Sequence, residues 1–306
     1  MPETVTFGRW PEMIRIADDR AELHVSTQFG PRILGANLLE APNLMYQFPP
    51  ETEPDGYRFY GGHRLWIAPE SRELSMQPEN EPVAVRHGEQ SVQLTAPTDT
   101  NGFTKSLVIA ARGDGQFVVT HGLTYSGEAP RTVAPWALSM LVAGTRVVFP
   151  QPEYVSHESD VLPNRPLVTW GYTDLSDPRW TWHPALASLQ QSPTRTPQKI
   201  GTYLAEGWAA AIGHGQLLLK TFGALAGSGA GVQDPTQIYP DMGCNFETFT
   251  NGDMIEIESL GPKATVTAGS ALIHEERWLI ASAKDLPSAP VQLREALAAL
   301  ADRLRD

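Results

Sequence analysis

Short runs that alternate apolar and polar residues recur from residue 21 to residue 280, and turn-forming residues separate them. Side chains of a β-strand point alternately to its two faces, so this period of two predicts strands with one buried face. The clearest case is the segment 244–260, in which two such runs meet at Asn251-Gly252, a strong hairpin signal. The other predicted strand segments are 21–30, the hairpin 82–97, 103–111, 116–126, 132–150 (two strands), the hairpin 208–222 and 271–280.

Glycine and proline are spread along the chain, with 26 of each, which is typical of many short strands joined by turns. Only the tail, 287–306, has a helical period, with Leu293, Leu297, Leu300 and Leu304 on one face. We expect this helix to pack on the outside of a single β domain that spans residues 1–306. The proline-rich segment 151–200 is predicted to be one long excursion between strands.

Charge and composition exclude several classes of protein. The 35 acidic and 23 basic residues give a net charge of −12, which disfavours nucleic acid and anionic membranes as partners. Cys244 is the only cysteine, and no secretory signal is visible, so we expect a cytoplasmic protein. The sequence has no phosphate-binding or dinucleotide motif and no histidine pair at zinc-ligand spacing, so we expect no cofactor and no metal. Nothing in it indicates a particular oligomeric state.

The acidic hairpin 244–260 carries the most informative set of polar side chains. If Ile255 and Ile257 point into a core, Glu256 and Glu258 lie on the other face, roughly 6.5–7 Å apart along the strand. Glu247 on the partner strand can join them. One interpretation is a solvated sheet face, and the alternative is a concave site in which crowding raises the pKa of at least one carboxylate.

A second candidate motif is YGGHRLWIAPE at residues 60–70. His63 is suited to proton transfer near neutral pH, and Arg64 offers a planar fork for neighbouring oxygens. Trp66 offers a flat apolar face that matches the C–H face of a sugar ring, and Glu70 follows nearby. The alternative is a structural histidine beside a strand.

Weaker candidates complete the predicted site. Lys220 follows three leucines, so its ammonium group either reaches a pocket or extends to solvent. Tyr239 and Asp241 lie in a turn before the acidic hairpin, and Trp180 and Trp182 could stack on a sugar. The segment HEER at 274–277 is interpreted as a solvated edge rather than a metal site, because alternation splits its side chains between two faces.

Several of these motifs resemble a bacterial family of unassigned function that is grouped with the galactose mutarotase-like proteins. The resemblance spans roughly residues 20–282 and is carried by GGHRLWIAPE, GWAAA with LLLKTF, YPDMGCNFETFTNGDMIEIESLGP and HEERWLI. It implies a β-supersandwich, in which two large antiparallel sheets pack together and a sugar binds the concave face of one. With the tail included, the predicted fold is this mostly β sandwich with a C-terminal α-helix.

The resemblance also implies a chemistry that needs no cofactor. In aldose 1-epimerases, a glutamate on a late strand accepts the proton of the anomeric hydroxyl while a histidine protonates the ring oxygen. The family's base motif looks like residues 257–262, which makes Glu258 the candidate base and Glu256 its neighbour. Epimerases usually place a histidine in the strand that here reads APWALSML (134–141), where Trp136 and Ser139 stand instead. His63 is the nearest substitute for the acid.

Three functions are compatible with these features. The first is an epimerase-like enzyme that interconverts the anomers of a free sugar. The second is a carbohydrate-binding protein on the same scaffold without catalysis, in which Trp180 and Trp182 dominate affinity. The third is a glycoside hydrolase or lyase, because the spacing of Glu256 and Glu258 is near the separation found in inverting glycosidases, although two residues of one strand face do not flank a bond.

Overall fold

The computed structural model describes residues 2–49, 56–159, 161–193, 196–224 and 234–305. Within these residues the chain forms two large sheets and a C-terminal helix, which confirms the predicted mostly β fold. Strands are numbered in chain order, and every neighbouring pair within each sheet is antiparallel.

Sheet I has eleven strands among the described residues, in the spatial order β1-β2-β3-β4-β5-β10-β19-β18-β15-β12, with β20 also paired to β10. Its strands are β1 Glu3–Phe7, β2 Trp10–Ala17, β3 Ala21–Val25, β4 Ile33–Leu38, β5 His63–Ala68, β10 Arg131–Val142, β12 Val168–Thr169, β15 Gln198–Thr202, β18 Phe246–Thr250, β19 Met254–Leu260 and β20 Ala264–Val266.

Sheet II has ten strands in the part of the chain that the structure describes, in the order β13-β14-β11-β16-β17-β21-β9-β8-β7-β6. Its strands are β6 Ala84–His87, β7 Ser91–Thr95, β8 Phe103–Gly113, β9 Gln116–Tyr125, β11 Arg146–Pro150, β13 Trp180–Trp182, β14 Leu186–Gln190, β16 Trp208–Gly213, β17 Gln216–Phe222 and β21 Ala271–Ser282. The predicted hairpins are therefore present as β6–β7, β16–β17 and β18–β19.

The main core lies between the two sheets. Ile255 and Ile257 of β19 belong to it, together with Phe246 of β18 and Trp278 of β21. The alternation that predicts inward isoleucines is thus confirmed, and Glu256 and Glu258, which alternate with them, take the opposite, outer face of sheet I. This parity decides the chemistry of each face.

The C-terminal helix α2, Pro290–Arg305, covers the outer face of sheet II. Leu293, Leu297, Ala301 and Leu304 are buried against leucines of β17, as a period of 3.6 requires. The predicted helix is confirmed, with Ala301 rather than Leu300 fully buried, and Asp306 lies outside the described residues. A four-residue helix, α1 (Pro235–Ile238), precedes the acidic hairpin, and no described helix is long and apolar enough to cross a membrane.

The prediction of one long excursion over 151–200 is wrong for its second half. Strands β12, β13, β14 and β15 all fall within that segment or extend from it, so only its first part lacks strands among the described residues. In β15 every residue is buried, including Gln198 and Lys199. A strand that buries polar side chains on both faces shows no alternation of polarity, which is why the pattern does not reveal it.

Candidate functional site

Four adjacent strands of sheet I place polar and aromatic side chains on its outer face. Leu138 of β10 is in register with Arg64 of β5 on one side and with Glu258 of β19 on the other. Glu258 in turn is in register with Glu247 of β18. Because residues in register share a face, these side chains form one row across the sheet.

The three glutamates of the hairpin converge on this face, as the sequence predicts, and they are buried. Glu247 is 0%, Glu258 1% and Glu256 9% exposed. The alternative of a solvated sheet face is therefore wrong. Carboxylates buried to this depth need a counter-charge or a proton.

Lys199 of β15 supplies that counter-charge, and sequence reasoning missed it. Its Nζ lies 2.7 Å from Glu247 Oε2 and 3.4 Å from Glu258 Oε2. The same ammonium group lies 4.7 Å from the Trp136 ring centroid and 4.8 Å from that of Trp170. The cation is thus held between two indole faces and two carboxylates, a strongly favourable setting for a desolvated charge.

Trp136 has a second role, because its Nε1 donates a hydrogen bond to Glu258 Oε2 at 2.8 Å. It stands in the strand where the resemblance places a histidine. Its ring packs edge-on against Trp66, with 5.2 Å between the ring centroids. Glu258 therefore has one oxygen fixed by the indole and the lysine, while its Oε1 is buried without a hydrogen-bond partner. The Trp66 Nε1 is likewise buried without one.

The proton affinities of this cluster are shifted together. Burial raises the pKa of Glu247 to about 8, against the lowering effect of the Lys199 charge. Burial and the charge of Glu258 raise the pKa of Glu256 well above its ordinary value. Burial also raises the pKa of Glu258, although Lys199 and the Trp136 hydrogen bond oppose the rise. Burial lowers the pKa of Lys199, but the charges of Glu258 and Glu247 outweigh it and leave that pKa well above its ordinary value.

Tyr172 and Glu70 lie at the open side of the cluster. Tyr172 is 47% exposed, and burial together with the charge of Glu258 raises its pKa to about 12 even though the Lys199 charge lowers it. Glu70 is exposed, and its charge raises the pKa of Glu256 and Glu258. Arg64 lies on the same face but turns to Glu79, with Nη2 3.2 Å from Glu79 Oε2, and donates a hydrogen bond to the Tyr57 hydroxyl.

The structure separates His63 from Glu258. His63 precedes Arg64 on β5 and therefore takes the opposite, inner face of sheet I, where it is fully buried between the sheets. Its Nδ1 lies 2.8 Å from Ser139 Oγ and its Nε2 lies 2.6 Å from His121 Nε2 of β9 in sheet II. The two residues predicted as acid and base thus leave sheet I on opposite faces. The preceding Gly61 and Gly62, both with positive φ, serve a close approach to the backbone of Tyr46 and Ile33 rather than to a ligand.

Lys220 belongs to the same interior cluster and neither reaches solvent nor joins Glu258. Its Nζ lies 3.1 Å from both carboxylate oxygens of Glu276, which also accepts hydrogen bonds from Ser259 and Trp278. Of the HEER segment, His274 and Glu276 face this interior and the other two side chains are more exposed. The split between faces is confirmed, whereas the interpretation as a solvated edge is wrong for the buried pair.

The ligating atoms of His63, His121 and Glu276 lie within 4.8 Å of one another, which is close enough to consider a metal ion. The lone pairs that would bind a metal ion already accept hydrogen bonds. His121 Nδ1 faces the carbonyl oxygen of His274, so it carries the proton, and His121 Nε2 accepts from His63 Nε2. With Lys220 on both oxygens of Glu276, the cluster is a satisfied hydrogen-bond network rather than a set of free ligands.

The remaining predicted residues lie in the turn before the acidic hairpin and on an edge strand of sheet II. Tyr239 is buried beside the hairpin, and the charge of Asp241 raises the pKa of Glu247. Trp180 and Trp182 lie on β13 at the edge of sheet II, so they do not line this face. The aromatic residues that do so from the same segment are Trp170 and Tyr172. The Thr173 hydroxyl donates a hydrogen bond to the Lys199 carbonyl oxygen and ties the turn that carries Trp170 to β15, a long-range contact that the sequence alone does not reveal.

This architecture is that of the galactose mutarotase-like proteins, and the resemblance found in the sequence is confirmed at the level of the fold. A galactose mutarotase-like protein from Lactobacillus casei superposes with a TM-score of 0.55 at 10% identity, covering 88% of this chain and 100% of the other. A galactose mutarotase related enzyme from Lactobacillus acidophilus gives a TM-score of 0.55 at 8% identity, with coverages of 89% and 98%.

A candidate aldose 1-epimerase from Escherichia coli K12 is similar to the same degree, with a TM-score of 0.55, 12% identity and coverages of 88% and 99%. Identities this low establish a shared fold and leave the activity to be argued from the site. No protein-family model matches the sequence, and no curated protein matches it.

Proposed function

We propose that this protein binds a monosaccharide on the outer face of sheet I and interconverts its anomers by acid–base catalysis, with Glu258 as the base. The observation that carries the proposal is the buried Glu258 carboxylate, whose Oε1 lacks a partner, set among Trp66, Trp136 and Trp170. Indole faces match the C–H faces of a sugar, and an unpartnered carboxylate oxygen matches a sugar hydroxyl.

The chemistry needs only positioned proton donors and acceptors. Glu258 accepts the proton of the anomeric hydroxyl, the C1 to ring-oxygen bond breaks as an acid protonates the ring oxygen, and the open-chain aldehyde rotates about C1–C2 before it recloses. Trp136 and Lys199 favour the ionised form of Glu258, since both contact its Oε2. The base is therefore both desolvated and oriented before a substrate arrives.

The direct test is exchange spectroscopy by NMR on the α and β anomers of a panel of aldoses. We expect acceleration over buffer for at least one aldose, and we expect Glu258→Gln to lower the rate roughly 10²- to 10⁴-fold, the usual contribution of a positioned base. Glu275→Gln, at an exposed position of β21, is the matched control and should keep full activity. Full activity in Glu258→Gln would exclude this residue as the base.

The second candidate is a carbohydrate-binding protein without catalysis, favoured by the absence of a histidine contact to Glu258 within the described residues. It predicts saturable sugar binding with no exchange between anomers. A hydrolase or lyase is less well supported, because Glu256 and Glu258 leave the same strand on one face and do not flank a glycosidic bond. Chromatography after incubation with oligosaccharides distinguishes that third reaction.

A further inference from the structure

We propose that Glu256 is the general acid of this reaction and that Lys199 is the positioning residue that keeps Glu258 as the base. The inference rests on the proposed function and deepens it, since it names the proton donor that the fold alone does not supply. It begins from the face on which each group lies.

The acid must act on the same side of sheet I as Glu258. His63 is excluded by its contacts, because Ser139 and His121 hold both of its ring nitrogens between the sheets. No histidine among the described residues forms a hydrogen bond or ion pair with Glu256 or Glu258. The donor is therefore to be found among the groups that surround Glu258 itself.

Glu256 has the required position. It lies two residues before Glu258 on β19, with its side chain on the same face, roughly 6.5–7 Å away along the strand. An acid and a base that each reach about 2.6–3.2 Å can hold the ring oxygen and the anomeric hydroxyl of one sugar between them. The Glu256 carboxyl also forms no hydrogen bond or ion pair with the described residues, so it is free to reach a substrate.

The environments of the two glutamates differ in the direction that the roles require. Glu258 receives the Trp136 N–H at 2.8 Å and the Lys199 ammonium at 3.4 Å, and both favour its ionised form. Glu256 has neither contact, and burial together with the charge of Glu258 raises its pKa well above its ordinary value. Two carboxyl groups whose proton affinities are pushed apart divide into an acid and a base.

Glu247 does not take the acid role. Its Oε2 is held 2.7 Å from Lys199 Nζ, and the side chain is fully buried at the back of the cluster. Glu256, at 9% exposure, is the one of the three glutamates nearest the open side. Glu247 instead anchors the ammonium group, which then contacts Glu258.

The step balances without a further reactant. Glu258 takes the proton from O1 as the C1–O1 double bond forms, the C1–O5 bond breaks, and Glu256 gives its proton to O5. After rotation about C1–C2, O5 attacks C1 from the other face. Its proton returns to Glu256, and O1 recovers the proton held by Glu258, so both carboxyl groups end as they began.

The first experiment compares Glu256→Gln with Glu275→Gln in the NMR exchange assay, using the aldose that the wild-type protein accelerates most. We expect Glu256→Gln to lower the exchange rate roughly 10²-fold or more while sugar binding, followed by saturation-transfer NMR, persists. Glu275→Gln should keep the wild-type rate. A Glu256→Gln variant that retains most of the activity would overturn the assignment.

The second experiment tests Lys199 through the pH profile of the rate. Lys199→Met removes the cation that favours ionised Glu258, so the rising limb of the profile should move to higher pH. Lys199→Arg restores the charge and should move the limb back, while Lys284→Met, at an exposed site, should leave it unchanged. A Lys199→Met profile that is only scaled down, with its limbs unmoved, would show a merely structural role.

A titration of the glutamate side-chain carboxyl carbons by ¹³C NMR, on the folded wild-type protein, gives a readout that does not depend on turnover. Glu256 should keep its proton to higher pH than Glu258, with assignments from the Gln variants. The reverse order contradicts the inference even if the enzyme is active. A wild-type protein that accelerates no aldose overturns the proposed function and this inference together, whereas an active Glu256→Gln variant overturns this inference alone.

Discussion

At the scale of single residues, the most unusual feature of the molecule is the ammonium group of Lys199 between two indole rings. A desolvated cation over an aromatic face is worth about 2 kcal/mol, so this contact fixes Trp170 as well as Lys199. Trp170 is half-buried, so part of its ring stays accessible to a ligand. In the proposed function this residue therefore links the charge cluster to sugar recognition.

We expect Trp170→Ala to weaken sugar binding roughly tenfold, because an aromatic contact of about 1.4 kcal/mol corresponds to that factor. Isothermal titration calorimetry with the preferred aldose measures it. Trp182→Ala is the matched control, since Trp182 is 42% exposed but stacks on Trp180 at the edge of the other sheet. An equal loss in Trp182→Ala would instead support the sequence-based hypothesis that the Trp180–Trp182 pair binds the sugar.

Sequence reasoning finds the residues of the site that obey alternation and misses those brought in by pairing. Glu256 and Glu258 are predictable because the isoleucines beside them fix the face. Lys199 is not, since the register of β15 against β18 is set by contacts distant in sequence. The sequence likewise does not reveal that His63 lies between the sheets, because the face that each residue of β5 takes becomes visible only when its partner strands are known.

At the scale of elements, the periodic leucines of α2 predict the helix and its buried face directly from the sequence. Its leucines repeat every three or four residues, and they cover apolar residues of β16 and β17 such as Trp208 and Leu219. Strands β14 and β15 of the segment 168–202 lack such a pattern, because nearly all of their residues are buried on both faces of the strand. Elements are thus predictable where one face alone determines burial.

We expect Leu297→Ala in α2 to lower the free energy of unfolding by about 2–5 kcal/mol, since the side chain is fully buried and leaves a cavity. Urea denaturation followed by circular dichroism measures the loss. Leu300→Ala, at a half-buried position of the same helix, should cost clearly less. Equal losses at the two positions would contradict the assignment of Leu297 as the packed residue, because alanine is the better helix former and helix propensity cannot produce the loss.

At the scale of the whole molecule, two buried ionisable clusters give the stability opposite dependences on pH. Burial lowers the pKa of His274 to about 3 and that of His63 well below its ordinary value. Their contribution is complete above pH 6.5 and is lost as pH falls, because the unfolded chain binds protons first. Burial raises the pKa of Glu247 to about 8, so its contribution is complete below about pH 4.5 and is lost as pH rises toward 8.

Above about pH 7 these buried histidines are mostly neutral in both states, and the buried glutamates dominate the pH dependence. We therefore expect the free energy of unfolding to fall as pH rises from about 7 toward 8, by up to about 1.4 kcal/mol per pH unit for each proton involved, and the melting temperature to fall with it. Glu247→Gln should flatten the slope, and Glu275→Gln should not. Differential scanning calorimetry measures it, and a wild-type slope that Glu247→Gln leaves unchanged would contradict the assignment.

Because neighbouring side chains of β5, β10 and β19 alternate between the faces of sheet I, the same three strands carry both the proposed sugar-binding face and the internal hydrogen-bond network behind it. Inserting or deleting one residue in β19 would send its carboxylates inward and its isoleucines outward. Length changes in this strand would therefore disrupt the core and the proposed site together. Descendants of this chain can vary their chemistry here only by exchanging one side chain for another.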